Sequence, residues 1–120
     1  MSEYTALIEQ YVNVWNITDA GLRAKAVAEV WAEDATYTDP LAEVRGHDDI
    51  AAVIEGAQAM FPGFVFTRGP VLDAHHDVVR FSWHLGPEGA PEPVVVGFDV
   101  AVVADGRITS VYGFLDKVPG

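Results

Sequence analysis

The hydrophobic pattern along the chain changes period once, close to Gly63. Before it, apolar side chains recur every three to four residues, as one face of a helix requires. Leu7, Ile8, Tyr11, Val14 and Trp15 form such a stripe within residues 3–16, and Ser2 is placed to cap its start. A second stripe, Leu22, Ala26, Val27, Val30 and Trp31, predicts a helix from Asp19 to Trp31 with Thr18 or Asp19 as its cap. Ala35 to Asp39 reads as a short strand that Pro40 closes, and Leu41 to Gly46 reads as a loop. Asp48 and Asp49 suit the first turn of a third helix, where carboxylates complement the helix dipole. Ile50, Val53, Ile54 and Ala57 give that helix its apolar face until Phe61-Pro62-Gly63 ends it.

Beyond Gly63 no segment has comparable helical character. Phe64 to Arg68 and Val71 to Asp73 predict a strand interrupted by Gly69-Pro70. Ala74-His75-His76-Asp77 is a turn, Val78 to Leu85 the next strand, and Gly86 to Pro93 a Gly/Pro-rich hairpin loop. Val94 to Val103 and Ile108 to Leu115 make the last hairpin, joined through Ala104-Asp105-Gly106-Arg107, a strong turn signal. The predicted order is ααβα followed by ββββ. Helices segregate from a mostly antiparallel sheet, which is the α+β pattern. Three helices do not cover both faces of a long sheet, so the sheet must curl. Its concave side then encloses a pocket bounded by helix 1, helix 3 and the inward parity of the strands.

Composition narrows the classes of function. The 120 residues, half of them hydrophobic, fit one domain over 1–120, with no repeat, linker or low-complexity tract. Eighteen acidic and seven basic side chains give a net charge of −11, which repels nucleic acid and anionic membrane surfaces. No apolar run approaches the ~20 residues of a membrane helix. The start, MSEYTALIEQYV, has no basic stretch followed by an apolar block, so no signal peptide is read and the expected compartment is the cytoplasm. The absence of cysteine excludes disulfides, thiolate metal sites and cysteine nucleophiles.

Asp99 is the most anomalous residue, because it interrupts the apolar run Val94 to Val103. By alternation it shares a face with Val95, Gly97, Ala101 and Val103. If that face is inward, desolvation favours the protonated acid; if outward, Asp99 is simply solvated. Asp39-Pro40 ends the first strand, a position for a catalytic base and equally an ordinary turn initiator. Tyr11 lies in the apolar stripe of helix 1, either as a core tyrosine or as a neutral donor facing the pocket. His75 and His76 are adjacent and lack metal-ligand spacing, so no metal site is expected. His84 shares parity with Ser82 and Arg80, and is either exposed or a polar group of the pocket.

The block Trp31-Ala-Glu-Asp-Ala-Thr-Tyr-Thr-Asp39-Pro40, followed by Arg45-Gly46 opening a helix, resembles the SnoaL-like branch of the NTF2-like superfamily. So does Gly97-Phe-Asp99 followed by Asp105-Gly106-Arg107-Ile108. The resemblance covers nearly the whole chain and implies an NTF2-like cone, three helices on a curved sheet around a pocket. It extends to ketosteroid isomerase, whose base is an aspartate in an Asp-Pro pair, matched by Asp39. That enzyme's oxyanion hole uses a helix-1 tyrosine, matched by Tyr11, and a protonated aspartate in a Val-rich strand, matched by Asp99. The resemblance therefore implies proton abstraction beside the carbonyl of a hydrophobic small molecule, steroid-like or polyketide. It implies no cofactor or metal, and a homodimer formed through the outer sheet face. The alternative class is a non-catalytic ligand-binding or dimerisation domain of the same fold. Arg80 is the one basic residue that an Asp–Arg–Asp site, as in epoxide hydrolases of this fold, would draw on.

Overall fold

The fold is that of a computed structural model, described over residues 2–119. The side chains of Ser2 and Glu3 lie outside the described residues, and the expected Ser2 cap with them. Helix α1 spans Ser2–Val14, α2 Ala20–Val30 and α3 His47–Met60. The strands are β1 (Trp31–Asp39), β2 (Ala42–Arg45), β3 (Phe64–His75), β4 (Val78–Pro87), β5 (Val95–Ala104) and β6 (Arg107–Lys117). They form one sheet in the order β2-β1-β6-β5-β4-β3, with β1 and β6 parallel and every other neighbouring pair antiparallel. The α+β architecture expected from the sequence is the one observed.

Three local expectations need correction. The segment expected as a loop contains β2, which pairs back on β1 from Thr36–Arg45 to Asp39–Ala42 and completes a hairpin. Trp31 belongs to β1 and not to α2. Its backbone is already extended (φ −102°, ψ 145°), so the helix stops at Val30 and the strand runs four residues longer at its start. Leu22, read as part of the buried stripe, is 62 % exposed, while Arg23 beside it is 5 % exposed. The α2 face is set by Arg23, which donates to the Ile17 carbonyl and Gln58 Oε1, both at 3.1 Å, and pairs with Glu55. A buried guanidinium holds its place only when paired in this way. Of the two expected caps, Thr18 and Asp19, it is Asp19 that caps α2, accepting from the Leu22 N–H at 2.9 Å.

The sheet bends where its register slips. Shifts occur in β3 between Arg68 and Asp73, around Gly69-Pro70, and between β5 and β6 at Val96/Gly97 and Val102/Val103. Such bulges increase local twist and curl the sheet. The β5–β6 turn has positive φ at both Asp105 (53°) and Gly106 (78°), the backbone of a tight type I′ hairpin. Helices α1 and α3 pack against the sheet over Ile8, Trp31, Ile50, Ile54 and Phe81, all at 1 % exposure or less. The end of α1 is fixed on β3 by a two-way amide bridge. Asn16 Nδ2 donates to the Phe66 carbonyl at 2.8 Å, and the Phe66 N–H donates to Asn16 Oδ1 at 2.7 Å. Gln58 of α3 donates to the carbonyls of Trp15 and Ile17, so all three chain segments meet beside Trp15.

Candidate active site

Between α1, α3 and the concave sheet lies a cavity of about 510 Å³. Val12, Val53, Phe66, Leu85 and Val95 contribute apolar wall, and Met60, Phe61 and Val118 lie at its lining as well. Tyr11, Asp39 and Asp99, the three site residues singled out in the sequence, all reach this one cavity. His75, His76, His84 and Arg80 do not line it, and Arg80 is exposed. Among the described residues no cluster of His, Asp or Glu has the arrangement of a metal site.

Asp99 sits at the inward parity of β5, with Val95, Gly97 and Ala101 buried on the same face. It is 3 % exposed. The Tyr11 hydroxyl donates to its Oδ2 at 2.7 Å and the Trp83 indole N–H to its Oδ1 at 3.2 Å. Burial raises the carboxyl from 3.8 to about 7, against the two donors, which lower it; the Asp39 charge raises it further. Tyr11 itself is pushed well above its ordinary value, by burial first and by the Asp99 charge second.

Trp83 reaches Asp99 because Gly97 has no side chain. The two residues pair across β4 and β5, and a β-carbon on Gly97 would lie 2.4 Å from Trp83 Cζ2. A glycine in mid-strand weakens the strand, and here the freed space holds an indole ring.

Asp39 closes β1 at the cavity wall. Its Oδ1 accepts from the N–H groups of Leu41 and Ala42 at 2.8 and 2.9 Å, the turn geometry that Asp-Pro favours. Its Oδ2 accepts from the Tyr37 hydroxyl at 2.8 Å. The two acids approach the same point. A β-carbon on Gly113 would lie 2.8 Å from Asp99 Oδ1 and 3.4 Å from Asp39 Cβ. Tyr37 stands between them, its hydroxyl raised well above the usual range by burial, then by the charges of Asp99 and Asp39.

A model of the SnoaL-like domain matches residues 8–111. The chain belongs to the SnoaL-like family. Among solved structures, this SnoaL-like domain is similar to a member of the same family from Agrobacterium tumefaciens strain C58, named an isomerase provisionally. The two are 38 % identical with a TM-score of 0.89, over 97 % of this chain and 99 % of that one. A protein from Kribbella flavida DSM 17836, provisionally named a ketosteroid isomerase, gives 22 % identity and a TM-score of 0.71. The match covers 99 % of this chain and 82 % of that one. A Sinorhizobium meliloti protein, provisionally named a polyketide cyclase, gives 17 % and 0.72 over 93 % and 96 %. The last two similarities establish the fold alone, which is NTF2-like as the resemblance implied. No curated protein matches the SnoaL-like domain significantly.

Sequence reasoning missed Tyr37, Trp83 and Trp15 as cavity residues. Tyr37 was within reach, since it lies two residues before Asp39 on the same face of β1. Trp83 was not, because its role depends on the β4–β5 register and on the space above Gly97.

Proposed function

We propose that this SnoaL-like domain is a cofactor-independent isomerase or cyclase that abstracts a proton next to the carbonyl of a hydrophobic substrate. The observation that carries the reading is the meeting of Tyr11, Asp39 and Asp99 on one cavity wall, with Asp99 held towards its neutral form. Asp39 takes the proton from the carbon beside the carbonyl, and the C–H electron pair moves onto the carbonyl oxygen. Tyr11, turning its hydroxyl from Asp99 to the ligand, and protonated Asp99 stabilise the resulting enolate by hydrogen bonding; both groups are buried among apolar residues. In an isomerase the same proton returns at another carbon. In a cyclase the enolate carbon attacks a second carbonyl, whose π electrons move to its oxygen, and that oxygen takes the proton Asp39 removed. The apolar wall supports a steroid-like or polyketide-like ligand, and a 510 Å³ cavity suits a molecule of that size.

The test is proton exchange in D2O on a panel of flat β,γ-unsaturated cyclic ketones, followed by proton NMR. The wild type exchanges the protons beside the carbonyl faster than buffer, and Asp39→Asn returns the rate to background. Equal exchange by both proteins removes Asp39 from the reaction, and no exchange on any ketone removes the reading.

A second reading is a non-catalytic ligand-binding or dimerisation domain. It is favoured by the three donors on Asp39, the pattern of a carboxylate that caps a turn. Either reading includes a homodimer through the outer sheet face. Phe98, opposite in parity to Asp99, stacks on Phe114 with ring centroids 4.9 Å apart, beside exposed Tyr112.

A further inference from the structure

Three elements of the cavity grade from buried to open along their length. On α3 the inward stripe passes from Ile50 and Ile54 in the core through half-buried Ala57 to Met60. On β6 the inward row passes from buried Val111 through Gly113 to Leu115. On β1 it passes from buried Ala35 and Tyr37 to Asp39, and the turn that follows carries Leu41. Each series ends on a large apolar side chain in solvent. Leu41, Met60 and Leu115 are 76, 58 and 41 % exposed, and Val118, just past β6, is 55 % exposed. All four also line the cavity. A side chain that lines a cavity and meets solvent stands at its mouth.

The polar groups lie further in. Gly113 marks the level of the two acids, because a β-carbon there would meet Asp99 Oδ1 at 2.8 Å and Asp39 Cβ at 3.4 Å. Leu115 lies two residues further out, roughly 7 Å along the strand. Among the described residues the cavity lining holds two acids, Asp39 and Asp99, and no basic side chain. The mouth therefore has no partner for a phosphate or a carboxylate, and presents apolar surface to whatever passes through it. Single exposed apolar residues need no explanation, but several gathered around one opening mark a binding surface. The net charge of −11 repels an anionic membrane from this rim. The rim is continuous instead with the apolar wall of the cavity, at Val53, Leu85 and Val95.

We propose that this rim holds an uncharged hydrocarbon tail of the ligand, so that the site takes amphiphilic molecules that enter polar end first. The carbonyl or hydroxyl head lies beside Asp99, and the tail leads out past Leu41, Met60, Leu115 and Val118. The inference rests on the enolate reading only for the placement of the head. The tail itself follows from the exposed apolar rim and its continuity with the wall. Laying a hydrocarbon chain across these side chains removes both surfaces from water, which favours longer tails over shorter ones. A compact ligand that ends at the level of Gly113 leaves the rim wet.

The experiment titrates the protein with 4-methylphenol, 4-butylphenol and 4-hexylphenol, which share one head and differ in tail length. Affinity should rise about threefold for each methylene, a little below the gain for full burial. The double variant Met60→Gln, Leu115→Thr should lower the gain from 4-methylphenol to 4-hexylphenol by about tenfold, and alter the affinity for 4-methylphenol by no more than about twofold. A wild type indifferent to tail length overturns the proposal. So does a variant that keeps the full gain, or one that loses equally for the short and the long phenol. If the variant instead halves the mass in light scattering, copies of the chain cover the rim and the proposal is overturned. A measurement on the unmutated protein covers the case of a variant that does not fold. Met60 is one of two methionines, so its labelled methyl group is readily assigned by NMR. It should show nuclear Overhauser contacts to the chain of 4-hexylphenol, and their absence sinks the proposal. The enolate reading fails separately. A tail-dependent gain without exchange on the ketone panel leaves the tail site established and the reaction lost; exchange without the gain does the reverse.

Discussion

Tyr11 and Asp99, 88 residues apart in sequence, are joined by a 2.7 Å hydrogen bond inside the cavity. The bond ties helix α1 to the middle of the sheet and couples the ionisation of the acid to the position of the tyrosine. Its consequence is a specific dependence of stability on pH. The folded Asp99 holds its proton up to about 7, whereas the unfolded chain releases it near 3.8. Below the unfolded value both states are protonated and the group costs nothing. Between about pH 4 and pH 7 the unfolded chain ionises first and stability falls. The displacement is equivalent to about 4 kcal/mol. Asp99→Asn keeps the shape without the titration, so its advantage over wild type should grow across that window and then level off. Parallel melting curves from pH 4 to pH 8 would mean that Asp99 titrates normally.

Gly97→Ala should damage the same corner from the other side. The added methyl meets Trp83 Cζ2 at 2.4 Å and the Phe114 carbonyl oxygen at 2.6 Å, so the indole or the strand must move. Overpacking of this kind costs about 1–3 kcal/mol in chemical denaturation. If the indole moves, Asp99 loses a donor that lowers its pKa, and the carboxyl should titrate higher still. A variant as stable as wild type, with Asp99 titrating unchanged, contradicts the close approach described.

Asp39→Asn should fold and should lower turnover of any carbonyl substrate by a hundredfold or more, the usual order for removing a general base. The amide oxygen can still accept from the Leu41 and Ala42 N–H groups, so the turn keeps its cap. Thermal melting verifies the fold and steady-state kinetics the loss. Undiminished turnover would reassign Asp39 to the turn alone.

The outer sheet face should pair two copies of the chain. Tyr112 and Phe114 are 43 % and 49 % exposed, and the Phe98–Phe114 stack extends the apolar surface next to them. Light scattering at high micromolar concentration should give twice the chain mass, and Phe114→Glu should halve it. A monomer in the wild type ends this expectation.

The elements themselves could be read from local pattern. The α1 and α3 stripes, the Asp19 cap and the Asp105-Gly106 turn are each decided by neighbours a few residues away, so periodicity and turn chemistry suffice. Asp99 was visible for the same reason, as one charged residue in an apolar strand, and alternation grouped it correctly with Val95, Gly97 and Ala101. Local pattern failed where a distant partner decides. Leu22 looks apolar enough to be buried, but the α2 face is chosen by the carbonyls and the Gln58 amide that pair with Arg23. Residues 42–45 are too few to signal a strand, and β2 forms because β1 offers an edge. The chemistry of the cavity depends most on such partners. That Trp83 reaches Asp99 follows from a cross-strand register and a missing side chain. That Tyr37 donates to Asp39 follows from where the packed rings come to rest. Sequence alone determined the three helices, the long strands and the hairpin turns, because those are settled within a few residues. Only the tertiary structure decided which donors meet which acids, because desolvation and hydrogen bonding depend on groups that the chain brings together from far apart.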